Sequence, residues 1–133
     1  MQKKKPAYPE RVVVKRSSAG LGLFATRPYK KGERVIEYFG RTLAAGEDCT
    51  SRSKYLFEVN KRRTIDGATR KNIARYINHS CFPNCEPEIE RGRIFIDVIR
   101  PINAGEEFTY DYGEEYVTEH INPRGCRCRK CLK

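Results

Sequence analysis

The 133-residue sequence has no apolar run near the roughly 20 residues that a membrane-spanning helix requires, so no such span is expected. Its opening residues, MQKKKPAYPE, carry positive charge but no apolar stretch behind it, so no secretory signal is expected either. The expected location is therefore intracellular: a bacterial cytoplasm or, for a eukaryotic or host-delivered protein, a nucleus. In that reducing setting the six cysteines are candidates for metal ligation rather than disulfides. There is no internal repeat and no low-complexity linker. One domain is expected, and a chain of this size buries about two-thirds of its unfolded surface without needing cross-links. Histidine is scarce, with only His79 and His120. His79 has Ser80 as its immediate neighbour, and neighbouring side chains point apart, so no Ser or Cys arrangement resembling a catalytic triad is expected around it.

Acidic residues are nearly missing from the first half and absent from the end. Residues 1–75 hold 19 Lys/Arg against 7 Asp/Glu, residues 76–121 hold 3 against 10, and residues 122–133 hold 5 against none, for a net charge of +10. A basic body of this kind can lie near nucleic acid, while the acidic segment offers carboxylates to a cationic substrate. Solvated charge that keeps a small protein soluble is the plainer alternative.

What is present is short and β-like. RVVVKR (11–16), RVIEYFG (34–40), YLFEV (55–59), RIFIDVI (93–99) and EEFTYDY (106–112) are rich in β-branched and aromatic residues. Turn signals stand between them at Lys31-Gly32, Asp66-Gly67, Arg91-Gly92 and Ala104-Gly105. Only residues 43–54 and 70–76 tolerate helix. The expectation is a mostly β domain of small sheets with few short helices. GLGLFA (20–25) follows a strand and matches a dinucleotide-binding fingerprint, but Pro28 and KKG (30–32) come too soon for the helix such a site needs. Leu23, Phe24 and Ala25 read as a strand returning to a core. The glycines then either make a bend or let backbone pass close to a ligand.

Three thiols, Cys126, Cys128 and Cys131, fall within six residues beside five cations, a poor composition for packing. Zinc asks for four tetrahedral ligands, so this C-x-C-x2-C cluster is one short. Cys81 or Cys85 can supply the fourth from RYINHSCFPNCEPE (75–88). That stretch crowds two Asn, a His and two Cys around two prolines. Taken alone it can be a turn in which buried Asn satisfies loop backbone. Beside it stands FTYDYG (108–113), whose Tyr110 and Tyr112 alternate on one strand face.

Together these segments resemble the SET-domain protein lysine methyltransferases. SAGLGLFATRPYKKGERVIEYFG resembles their opening motif, ARYINHSCFPN the central signature, GEEFTYDYG the closing motif and CRCRKC the zinc-binding post-SET tail. The resemblance runs from about residue 11 to the end. It implies a fold in which the C-terminal segment threads a loop as a pseudoknot. The implied division is a basic arm (1–10), a SET domain (11–116) and a post-SET tail (117–133). S-adenosylmethionine is the implied methyl donor, touched by the backbone of Ala19 and Leu21 and held by Asn78 and His79, with Arg127 behind its adenine. Tyr112 matches the catalytic tyrosine, Tyr110 the position that gauges how many methyls fit, and Tyr55 a residue lining the shared site. The implied zinc ligands are Cys81, Cys126, Cys128 and Cys131, one ion per chain. With no cysteine-rich segment before residue 11, substrate selection is expected from residues 41–63 and the tail.

The reaction so implied moves a methyl from a sulfonium to a neutral amine. Baring the lone pair of a lysine of pKa near 10.4 costs about 4–5 kcal/mol at pH 7. A channel of tyrosine rings can bury and align the amine, and no strong base is obvious. The expected substrate is a basic segment, such as a histone-like tail or a ribosomal protein, mainly monomethylated because Tyr stands at 110. The competing readings are a non-enzymatic zinc module that binds nucleic acid or chromatin through the basic half, and a degenerate methyltransferase kept as a reader. Neither needs Tyr55, Tyr110, Tyr112 and the Asn78-His79 pair together.

Overall fold

The computed structural model describes residues 11–18, 20–44, 46–47, 53–60 and 62–113. The basic arm, Ala19 and everything after Gly113 lie outside the described residues. Ten strands form four small sheets, and the architecture is mostly β as the sequence suggests.

The first hairpin pairs β1 (Val12–Ser17) with β2 (Gly20–Ala25), in register from Val12↔Ala25 to Ser17↔Gly20. Residues 20–25 are therefore strand and no helix opens at the glycines, which disposes of a dinucleotide site. The inner end of β2 is buried from Gly22 to Ala25.

A central sheet has the order β3-β9-β8, with β3 (Arg34–Tyr38), β9 (Arg93–Val98) and β8 (Cys85–Glu90). Its inner face aligns Ile36 with Ile96 and Tyr38 with Ile94, while Pro87 stands across Ile96 from the other side. Pro87 is tolerated because β8 is an edge strand, where a missing N–H breaks no ladder. The two-residue loop Arg91-Gly92 joins β8 to β9 with both φ angles positive, 53° and 76°. That is the primed hairpin turn whose twist suits a right-handed strand pair.

The third sheet, β4-β6-β5, joins β4 (Arg41–Thr42), β6 (Arg63–Asp66) and β5 (Leu56–Asn60). A 3-10 turn at Ile73–Tyr76 then leads into β7 (Asn78–His79). The last sheet pairs β7 with β10 (Thr109–Tyr110) in parallel, Thr109 opposite Asn78 and Tyr110 opposite His79.

Leu23, Val35, Ile77, Ile94, Ile96, Ile102 and Phe108 are wholly buried, so one core joins the hairpin, the central sheet and the closing segment. Phe108 meets Tyr29 edge-on, ring centroids 5.2 Å apart at 84°. One ionic group interrupts the solvent side of the central sheet. Buried Arg34 donates from Nε to Asp97 Oδ1 at 2.8 Å and from Nη2 to Asp97 Oδ2 at 3.1 Å, bonds Glu90 as well, and stacks 4.1 Å from the Phe95 ring centre.

Candidate active site

The parallel β7–β10 pair is only two residues long, and side chains do much of the work that a longer ladder would do. Asn84, buried behind the Pro83 turn, accepts from Thr109 N through Oδ1 (2.9 Å) and donates from Nδ2 to Glu107 O (2.8 Å). It replaces a strand's two backbone groups for the closing segment, which is the loop-satisfying role open to an Asn in this stretch. Phe108 N donates to Leu23 O and Ser80 N to Tyr110 O, fixing the segment from both sides.

This arrangement gathers the sequence-predicted residues. Tyr112 N donates to His79 Nδ1 at 3.1 Å, and the Tyr112 hydroxyl donates to Ile77 O. The Tyr110 and Tyr112 rings lie 4.9 Å apart, and His79 is 5.4 Å from the Tyr112 ring. Although strand geometry covers only 109–110, the two tyrosines do come together. Tyr55 is joined to them through aromatic neighbours: Tyr38 donates to Tyr55 O (2.7 Å) and touches Phe57, which touches Tyr110. Arg75 holds the outer end of Tyr55, donating to its hydroxyl at 3.2 Å and lying 4.3 Å over its ring.

Asn78 reaches the first hairpin. Its Nδ2 lies 2.9 Å from Leu21 O, 3.1 Å from Ser17 Oγ and 2.8 Å from Glu107 Oε2. The Leu21 backbone thus does face the signature loop. Gly22 is bare because Glu107 needs the room: a Cβ there would stand 2.3 Å from Glu107 Oε2. The close approach anticipated for these glycines is real, and its partner is a carboxylate of the chain itself.

His79 is buried, and that burial lowers its pKa, against the opposing pull of Asp111. A neutral ring that accepts Tyr112 N at Nδ1 carries its proton on Nε2, which faces Cys81 Sγ at 3.5 Å. A thiol is therefore nearer His79 than the sequence suggested. A triad does not follow, because Nδ1 is already an acceptor and cannot donate to Asp111, 3.7 Å away.

The two cysteines of the signature stretch differ sharply. Cys81 is exposed, whereas Cys85 is fully buried on β8 with its thiol pushed up to about 12, chiefly by burial and then by Asp97. A thiolate ligand must be accessible and easily deprotonated, so Cys81 fits a metal and Cys85 does not. Ala19, Arg127, Cys126, Cys128 and Cys131 lie outside the described residues.

The SET-domain family model matches residues 20–113, spanning the hairpin, the signature loop and the closing strand. The chain belongs to the SET-domain family. Histone-lysine N-methyltransferase trithorax of Drosophila virilis is 35% identical to it over 97% of this chain and 4% of that protein. Histone-lysine N-methyltransferase 2D of Homo sapiens is 38% identical over 86% of this chain and 2% of that protein. The chain thus spans only a few per cent of the length of these relatives. Among solved structures, a humanized mutant of the Chaetomium thermophilum Polycomb Repressive Complex 2 bound to an inhibitor superposes with a TM-score of 0.69. It is 35% identical and covers 77% of this chain and 15% of that one. A ctPRC2 structure in an autoinhibited conformation bound to S-adenosylmethionine has the same TM-score at 33% identity, covering 77% of this chain and 15% of that one.

Within this SET domain, four residues that sequence reasoning did not single out support the site: Ser17, Arg75, Asn84 and Glu107. Three of them lie inside the quoted motifs. Their signal was available as polar residues flanking the recognised positions, where a loop has backbone groups to satisfy. No helix among the described residues is long and apolar enough to cross a membrane.

Proposed function

We propose that the protein is a protein-lysine N-methyltransferase that uses S-adenosylmethionine to methylate a lysine in a basic, histone-type protein segment. The observation that carries this reading is the β7–β10 pairing, which sets Asn78 and His79 beside Tyr110 and Tyr112. Relatives whose names state histone-lysine methylation, and a structural neighbour bound to S-adenosylmethionine, support it.

The residues present fit such a donor. Leu21 O, Ser17 Oγ and Glu107 Oε2 converge on one point, an acceptor set suited to a cationic amino group, with the Asn78 amide among them. When bound, S-adenosylmethionine supplies an electrophilic methyl on a sulfonium. The chain's part is to bury the amine, orient it and exclude water. The Tyr112 hydroxyl has committed its proton to Ile77 O, so toward a lysine nitrogen it acts as an acceptor that can align the amine. Tyr110, buried between Phe57 and Tyr112, narrows the same space. A hydroxyl there can hold water at the end of a lysine channel, and evicting ordered water without replacing its bonds is unfavourable. The product is therefore mainly monomethyl-lysine.

The reading extends to a division into an arm (1–10), a SET domain (11–116) and a post-SET tail (117–133). Zinc is held by Cys81, Cys126, Cys128 and Cys131, clamping the tail onto the signature loop, and Arg127 backs the adenine. The exposure of Cys81 supports this ligand set. The protein works inside the cell, in a nucleus or a bacterial cytoplasm.

The test is incubation with labelled donor and a panel of histones and ribosomal proteins, followed by mass spectrometry. Label on lysines of basic proteins, mostly as monomethyl, is expected. No transfer to any of them, with donor binding absent by calorimetry, overturns the proposal. Metal analysis of the pure full chain checks the zinc: one equivalent is expected, and none, or a content unchanged in Cys128→Ser, refutes the ligand set.

A further inference from the structure

The reading above leaves Glu107 without a task, yet the fold makes special room for it. Its Oε2 lies 2.8 Å from Asn78 Nδ2, and the chain keeps a glycine at position 22 where any Cβ would stand 2.3 Å from that oxygen. The carboxylate is half-buried. Among the described residues its side chain makes no ion pair, and its one hydrogen bond is to a neutral amide. A partly desolvated negative charge left with a neutral partner is costly unless a cation completes it.

The surroundings say what kind of cation. Three oxygens, Leu21 O, Ser17 Oγ and Glu107 Oε2, lie within 3.1 Å of the Asn78 nitrogen. An amide nitrogen carries two hydrogens and cannot satisfy all three acceptors, whereas an ammonium has three donors and a full charge. Glu107 is the only ionisable member of the set. Charge-assisted hydrogen bonds are about twice as strong as neutral ones, so most of the discrimination for an ammonium falls on this carboxylate.

We propose that Glu107 is the counter-charge that selects the amino-acid end of the methyl donor, with Gly22 kept free of a side chain to admit its carboxylate. This rests on the methyltransferase reading and adds the ligand group that Glu107 recognises. Only the hydrogen-bond pattern at Asn78 and the bare Gly22 are needed to argue it, and both belong to this chain.

Calorimetry of the full chain with two stable ligands decides the matter. S-adenosylhomocysteine carries the amino-acid end, and 5′-methylthioadenosine lacks it. Glu107→Gln keeps the size and an acceptor for Asn78 while removing the charge. It should weaken S-adenosylhomocysteine about tenfold, as expected when a charged hydrogen bond becomes a neutral one. It should leave 5′-methylthioadenosine within about twofold. Gly22→Ala, which displaces the carboxylate without deleting it, should reproduce the same one-sided loss. Equal losses for both ligands mean a merely structural Glu107 and overturn the proposal, as does unchanged affinity for both. Wild-type protein that binds neither ligand sinks the methyltransferase reading itself, a result distinct from either of these.

Discussion

Ile96 and Thr109 illustrate two ways of holding a strand. Ile96 sits in the middle strand of a three-stranded sheet, flanked by Ile36 and Pro87, with no exposed surface. Thr109 is in a two-residue strand, and its backbone N–H is satisfied by the side chain of Asn84. The central sheet is stable because apolar area is removed from water, and its register follows from which residues can face the core. The closing segment, 106–112, is fastened by individual polar bonds to Asn84, His79, Ile77 and Leu23. Each such bond contributes little net stability, but each fixes a position. Substitutions in the sheet should therefore change stability and spare the site, while those in the closing segment should do the reverse.

The largest effect is expected from Ile96→Ala. A wholly buried isoleucine cut to alanine leaves a cavity and costs about 2–5 kcal/mol. Urea unfolding should show the midpoint fall by that amount, while the fraction still folded binds S-adenosylhomocysteine as before. A parallel loss of affinity would mean the two regions are not separable.

Tyr112→Phe reverses the pattern. It removes one hydroxyl, bonded to Ile77 O, from a half-buried ring. Initial rates with labelled donor should drop about 100-fold, the scale of losing one preorganised polar group at a reaction centre. The unfolding midpoint should shift by no more than about 1 kcal/mol, the net worth of one hydrogen bond. Retention of most of the activity would remove Tyr112 from the reaction.

Asn84→Ala tests the join between the regions. It strands Thr109 N and Glu107 O, and orphaned buried backbone groups cost about 1–3 kcal/mol. Stability should fall by that amount and donor affinity should fall with it, because Glu107 loses its backbone anchor. Asn84→Asp keeps one acceptor for Thr109 N and should recover part of both.

The same contrast explains what the sequence made legible. Strands near 12–17, 34–38, 56–60 and 93–98 were readable because β-branched and aromatic residues alternate or cluster there. β8 was not, since CEPEIE reads as a charged loop with a proline; only its edge position makes Pro87 harmless. EEFTYDY reads as one continuous strand, yet only Thr109–Tyr110 pair as strand, because Glu107 bridges to Phe24 while the next residues turn to β7. Asn78, His79, Tyr110 and Tyr112 were recognisable through motif resemblance, not periodicity. Glu107, Ser17 and Arg75 were hidden because their importance lies in partners up to 90 residues away along the chain, as Ser17 has in Asn78 and Glu107 in Gly22. The choice of Cys81 over Cys85 needed burial, which four positions of separation in sequence do not reveal.

The smallest effect belongs to Tyr110, which lies in both regions at once. It is buried in the core cluster and touches Phe57, yet its ring also stands 4.9 Å from Tyr112 and it pairs with His79 across the parallel strands. Tyr110→Phe keeps the ring and its packing, so unfolding should move by no more than about 1 kcal/mol, the scale of one hydrogen bond. The total rate of methyl transfer should stay within a few fold, since the aligning hydroxyl of Tyr112 is untouched. The product should change instead. Removing the hydroxyl loosens any water it holds and leaves room for a methylated amine to re-enter, a gain of at most about 2 kcal/mol, the upper bound for immobilising one water. Mass spectrometry of a single-lysine basic peptide should therefore show monomethyl product from the unmutated protein and more di- and trimethyl from Tyr110→Phe. Abundant trimethyl-lysine from the unmutated protein would show that Tyr110 is only a core residue and does not gauge the channel.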